Sequence, residues 1–154
     1  MRAVLAACGG FLAAVLWFDL MFDVQVIGHE GALLPESVLA SIAAYYRRVT
    51  TDAVPMNRLI SGVMLVAIAG AAWQLLRGRV PRGRGIAALL SIVAPVFLAA
   101  LRVVPDAVRL GARSDTIEAQ SELARRICTD HMLCLASIAV FIVLQLLPLR
   151  ARAS

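Results

Sequence analysis

Two aspartates, Asp19 and Asp23, stand four residues apart at the end of a run that is otherwise apolar enough for lipid. At helical spacing they share one face, about one turn apart. An aspartate at the centre of a membrane helix costs roughly 2.5 to 3.5 kcal/mol, so such groups face protein or water and mark candidate sites. A buried carboxylate paired with a histidine can serve as general base and acid. The sequence therefore predicts Asp19, Asp23 and His131 as catalytic candidates.

The composition excludes an ordinary soluble domain, since 61% of the 154 residues are hydrophobic and the mean hydropathy is +0.84. All 15 positive charges are arginine, and the net charge is +5. Between apolar spans, arginines indicate topology and lipid-headgroup contacts, so no nucleic-acid partner is expected. Three cysteines in apolar surroundings are too few for a disulfide framework.

The hydropathy pattern predicts an all-α integral membrane protein with a single domain, 1–154, built as a four-helix transmembrane bundle. Residues 36–49 are too short to span a bilayer, carry apolar residues at helical spacing and end in two arginines. They predict a short interfacial helix between the first two spans. The start of helix four, about 116–126, is polar and predicted to lie outside the membrane. The predicted spans are 3–26, 59–76, 86–104 and 127–147.

Local signals define the ends and bends of the later helices. Pro95 lies in the middle of span three, where it removes one helical hydrogen bond and predicts a kink. Asp115 and Glu118 resemble a capping box that starts helix four. Helical spacing also predicts a ladder of opposite charges on that helix, in which Arg126 pairs with Glu122 and with Asp130.

A short basic loop sets the orientation. Residues 77–85 contain four arginines and no acid, which predicts a cytoplasmic loop and cytoplasmic termini in a multi-pass protein of the cell membrane. The plan of four spans with an amphipathic helix after the first is similar to that of small bacterial membrane proteins of the anthrone-oxygenase-like group. A bacterial inner membrane is the expected location, and no residue role is carried over from that resemblance.

This topology places the end of span one, the start of span two and the membrane entry of helix four at one depth, in the outer leaflet. Their polar side chains are expected to form a pocket, with the interfacial helix as a lid. Arg58 could instead neutralise Asp23 and leave a structural ion pair. The predicted ligand-binding residues are Tyr45, Tyr46, Arg47, Arg48, Asn57, Arg58, Asp130 and Cys134.

Metal and haem sites have weak support. Asp19, Asp23, His131 and Cys134 are suitable ligand types, yet there is no two-cysteine or two-histidine motif, so no metal site is predicted. A bis-histidine haem would require His29 and His131, the two histidines of the chain, to meet. The cofactor is left unknown.

Three functions stay open at this stage. The first is a membrane protein whose pocket binds, and in an enzyme transforms, a lipophilic small molecule. The second is a non-catalytic subunit or assembly factor whose aspartates are structural. The third is a proton-linked transporter. The expected partners are membrane lipid, a lipophilic molecule, and a second copy or another membrane protein.

Overall fold

The computed structural model describes residues 1–148, which form helices joined by short loops, with no strand among them. The C-terminal end of the predicted topology, 149–154, lies outside the described residues. The α-helices are α1 (Arg2–Asp23), α2 (Glu36–Thr51), α3 (Val54–Leu76), α4 (Arg82–Leu98), α5 (Val104–Ala112) and α6 (Ile117–Leu146). A 3₁₀ turn, Val24–Val26, extends α1, and a π-helical segment, Ala99–Val103, joins α4 to α5 without a break.

Four helical stretches are long and apolar enough to cross a membrane, as predicted. They confirm the all-helical class and the number of candidate spans. The third is longer than expected, because its helix passes Pro105 and ends at Ala112 instead of near 104. Pro105 lies in the first turn of α5, where a proline is tolerated. The four stretches are Arg2–Val26, Val54–Leu76, Arg82–Ala112 and Ile117–Leu146.

Small residues let the long helices pack closely. A Cβ atom on Gly9 of α1 would lie 2.7 Å from Cγ1 of Ile142 on α6, and one on Gly70 of α3 would lie 2.6 Å from Cδ2 of Leu5. The contact at Gly9 pairs the start of α1 with the end of α6, so these two helices run antiparallel. Leu5 and Phe141 are fully buried in this part of the core.

Pro95 does not end the third candidate span. The carbonyl that it leaves without a helical donor is that of Ser91, four residues earlier. Ser137 Oγ of α6 donates to this carbonyl at 3.0 Å. A neighbouring helix therefore supplies the missing hydrogen bond, and the wider π turn follows directly.

The start of α6 differs from the predicted capping box. Thr116 is the N-cap, and its side chain accepts from the backbone N–H of Ala119 at 3.4 Å. Asp115 instead accepts a hydrogen bond from Arg109 at 3.0 Å. The predicted charge ladder holds only for Glu122 and Arg126, whose charged groups are 3.9 Å apart. Asp130 pairs with an arginine of the π segment, because α6 packs that face against α4 and α5.

Helix α2 packs mainly against α5. Its buried residues Leu39, Ile42 and Tyr46 share one core cluster with Leu110. Gly111 is required by this contact, because a Cβ there would lie 3.0 Å from the backbone nitrogen of Arg47. The prediction of a short helix at 36–49 gave its start correctly and its end two residues early.

Candidate functional site

Three helices bring five predicted residues together at one end of the molecule. Helix α1 carries Asp19 and Asp23, one turn apart on a single face. Adjacent residues of α2, Tyr45 and Tyr46, reach these two carboxylates, and α6 supplies His131. We call these five residues the Asp–His cluster.

Asp23 is the inner acid of the cluster and is fully buried. Tyr46 donates its hydroxyl proton to Asp23 Oδ1 at 2.6 Å, and His131 Nδ1 lies 2.6 Å from Asp23 Oδ2. A carboxylate only accepts, so the imidazole proton resides on Nδ1. Tyr46 and His131 thus both donate to one carboxylate, and the Tyr46 hydroxyl oxygen lies 3.4 Å from Nδ1, where it can only accept.

Asp19 is the outer acid. It accepts a hydrogen bond from the Tyr45 hydroxyl at 2.6 Å, and 15% of its side chain is exposed. Its Oδ2 lies 3.9 Å from His131 Nε2, beyond hydrogen-bond distance. The ring of Phe22 stacks on Tyr45 with centroids 4.0 Å apart and covers the outer edge of the cluster with apolar surface.

The cluster is acidic. Within residues 1–148 no arginine pairs with Asp19 or Asp23, and Arg58 is exposed on α3. The alternative in which Arg58 neutralises Asp23 is therefore not the arrangement found. In a neutral imidazole with its proton on Nδ1, Nε2 of His131 faces Asp19 and can accept a second proton. The resulting imidazolium would lie between the carboxylates of Asp19 and Asp23, so the arrangement can hold a proton and release it again.

The tyrosines are held in their neutral form. Burial raises the pKa of Tyr45 well above its ordinary value, and the hydrogen bond to Asp19 adds to the rise. Burial and the negative charge of Asp23 raise the pKa of Tyr46 in the same direction. Both hydroxyls therefore act as hydrogen-bond donors and not as bases.

The other predicted ligand-binding residues lie elsewhere. Asp130 faces α4 and the π segment, where its Oδ2 is 3.3 Å from Arg102, and Cys134 Sγ lies 3.8 Å from the carbonyl of Pro95. Asn57 donates to the carbonyl of Val49 at 2.9 Å and so ties α3 to the end of α2. Arg47 and Arg48 line a separate groove on α2, which the cluster tyrosines do not line.

No three-ligand metal centre is formed by histidine, cysteine and acidic residues within 1–148. His131 is committed to Asp23 through Nδ1. His29 lies in the loop between α1 and α2, where its backbone carbonyl accepts from Arg125.

Sequence reasoning missed the polar groups that hold this end of the molecule together. Arg126 forms a two-pronged ion pair with Asp106 at 2.7 and 2.9 Å. Arg125 binds the carbonyls of His29 and Gly31 at 2.8 and 2.7 Å and fixes the loop between α1 and α2. The sequence contains no local signal for these pairs, because the partners are 20 to 96 residues apart.

No family model, curated protein or solved structure matches this chain.

Proposed function

We propose that this chain is a membrane-embedded protein that binds a lipophilic weak acid and exchanges a proton with it at the Asp–His cluster. In this proposal the four long helices form a transmembrane bundle, α2 lies on the membrane surface, and the cluster lies in the outer leaflet. The supporting observation is the Tyr45–Asp19···His131–Asp23–Tyr46 chain, which has a single 3.9 Å gap.

The two acids have different access, and this asymmetry suits proton exchange. Asp23 is fully buried and accepts two hydrogen bonds, so it orients the imidazole. Asp19 is partly exposed, and its Oδ2 is the carboxylate oxygen 3.9 Å from His131 Nε2. It can therefore contact the hydroxyl group of an incoming ligand. The adjoining surface of α1 is apolar, with Phe18 and Met21 about 60% exposed. A molecule that approaches from lipid therefore meets Asp19 first.

The test measures binding of 4-decylphenol, a lipophilic weak acid, by native mass spectrometry. We expect Asp19→Asn to abolish binding while the melting temperature in detergent is kept, because asparagine can still accept from Tyr45. His131→Gln should also lose binding. Asp52→Asn is the matched control, because Asp52 is an exposed acid on which the cluster does not depend. Binding that is equal in wild type and Asp19→Asn would contradict the proposal.

A second function is favoured by the hydrogen bonds within the Asp–His cluster, which already occupy both of its carboxylates. Each carboxylate of the cluster already has a hydrogen-bond donor, which suits a structural clamp between α1, α2 and α6 in a non-catalytic subunit. In that case Asp19→Asn and Asp23→Asn would both lower the melting temperature, and neither the wild type nor the variants would bind the phenol.

A further inference from the structure

The outer face of α2 forms the wall of a groove that is separate from the Asp–His cluster. Its volume is about 730 Å³, and it opens to the surface between α2 and the end of α5. Helix α2 therefore presents two different faces. Tyr45 and Tyr46 point to the cluster, while Ala40 and Ala44, one turn apart, leave a shallow trough on the groove side.

The charges in the groove favour an anion. Three arginines and two acids line it. Glu36 is taken up by an ion pair with Arg113, whose hydrogen bond lowers the pKa of that carboxyl and keeps it ionised. The other acid, Asp52, accepts a hydrogen bond from Thr51 at 3.0 Å. Within residues 1–148, Arg47 and Arg48 are exposed and form no ion pair. Their guanidinium groups are free for phosphate oxygens, which such groups bind well.

The position of the groove favours a lipid over a soluble anion. Gly111 lines the groove and lies at the end of the third candidate span, where an apolar helix would leave the hydrocarbon layer. Val104 and Val108 share the helical face of Gly111 and are about half exposed. Together they form an apolar strip that leads from the groove along the span, suited to an acyl chain.

We propose that this groove binds the phosphate headgroup of an anionic phospholipid, with Arg47 and Arg48 at the phosphate and an acyl chain along Val104 and Val108. The site shares no residue with the Asp–His cluster. The lipid can therefore bind whether or not the cluster exchanges protons.

The experiment measures lipid binding to the detergent-purified full chain by native mass spectrometry. Phosphatidylglycerol and phosphatidylcholine of identical acyl chains are compared. We expect wild type to bind one phosphatidylglycerol in preference, and Arg47→Gln with Arg48→Gln to weaken that binding about tenfold to thirtyfold, as expected for two surface arginines. The matched control removes two charges outside the groove, in Arg77→Gln with Arg82→Gln, and should keep the preference.

Three outcomes would overturn the proposal. The first is equal binding of the two lipids by wild type, and the second is an equal loss in both double variants, which would indicate general attraction of anions. The third is displacement of phosphatidylglycerol by millimolar inorganic phosphate, which would identify a soluble anion as the ligand. Both pairs of arginines are exposed, so neither double variant is expected to unfold. The melting temperature of each variant checks this.

Discussion

The chain contains two tyrosines, and both belong to the Asp–His cluster. Each donates to a different aspartate, and each lies close to the other, with ring centroids 5.3 Å apart. A tyrosinate in either position would face a carboxylate across 2.6 Å. Tyrosine ionisation therefore reports on the integrity of the cluster without any label.

We predict that neither tyrosine ionises near pH 10 while the protein is folded, because burial raises the pKa of both above the ordinary value. A raised pKa stabilises the folded state fully below the unfolded value, and this stability is lost as pH rises beyond about 10. The measurement is an absorbance titration at the tyrosinate band. Guanidinium-unfolded protein is the control and should titrate near the ordinary value. A folded-state midpoint at that same value would contradict the cluster geometry.

The sequence alone could predict most residues of the Asp–His cluster, but not the ion pairs that hold the surrounding helices together. Charged groups in apolar runs are conspicuous, so the sequence places Asp19, Asp23 and His131 at one depth, with Tyr45 and Tyr46 on the short helix predicted to cover them. Their functional roles stay predictions. The partners Arg102 for Asp130 and Asp106 for Arg126 could not be foreseen, because contacts between distant helices depend on rotation about the helix axes.

At the scale of elements, the third candidate span shows where local rules were insufficient. The span is predicted to end at 104, yet the helix continues through the π-helical segment and past Pro105 to Ala112. The same π segment carries Arg102, which faces the buried Asp130. A π-helical turn changes the direction of every later side chain on the helix. No residue pattern in the sequence predicts this turn.

The contact between α1 and α6 gives a matched pair of glycines for a stability test. We predict that Gly9→Ala destabilises the fold by about 1 to 3 kcal/mol, because its Cβ would lie 3.2 Å from the fully buried ring of Phe141 and closer still to Ile142. Gly10→Ala is the control, since no atom lies within 4 Å of that Cβ. The melting temperatures in detergent should fall for Gly9→Ala only. Equal values would mean that α1 and α6 are less closely packed than described.

At the scale of the whole molecule, the arginines fall into two groups with different surroundings. At the end that carries the cluster, some arginines pair with acids, as Arg126 does with Asp106, while Arg125 binds backbone carbonyls. At the other end, Arg2 and Arg84 donate to backbone carbonyls at the C-terminal end of α6, where cations are favoured. Arg77 and Arg82 stay exposed and unpaired within residues 1–148. The positive-inside rule counts the arginines of such short loops, and acidic residues contribute little to it.

We predict that the loop around Arg82 is cytoplasmic, because it is short, basic and free of acids. A cysteine in place of Arg82, in a background with Cys8, Cys128 and Cys134 replaced by alanine, should resist an impermeant maleimide in intact cells. It should react fully after the cells are opened. A cysteine in place of Ser114, an exposed position between α5 and α6, is the control at the opposite end and should react in intact cells. Labelling of position 82 but not 114 would invert the orientation and place the Asp–His cluster, with its proposed proton exchange, at the cytoplasmic side.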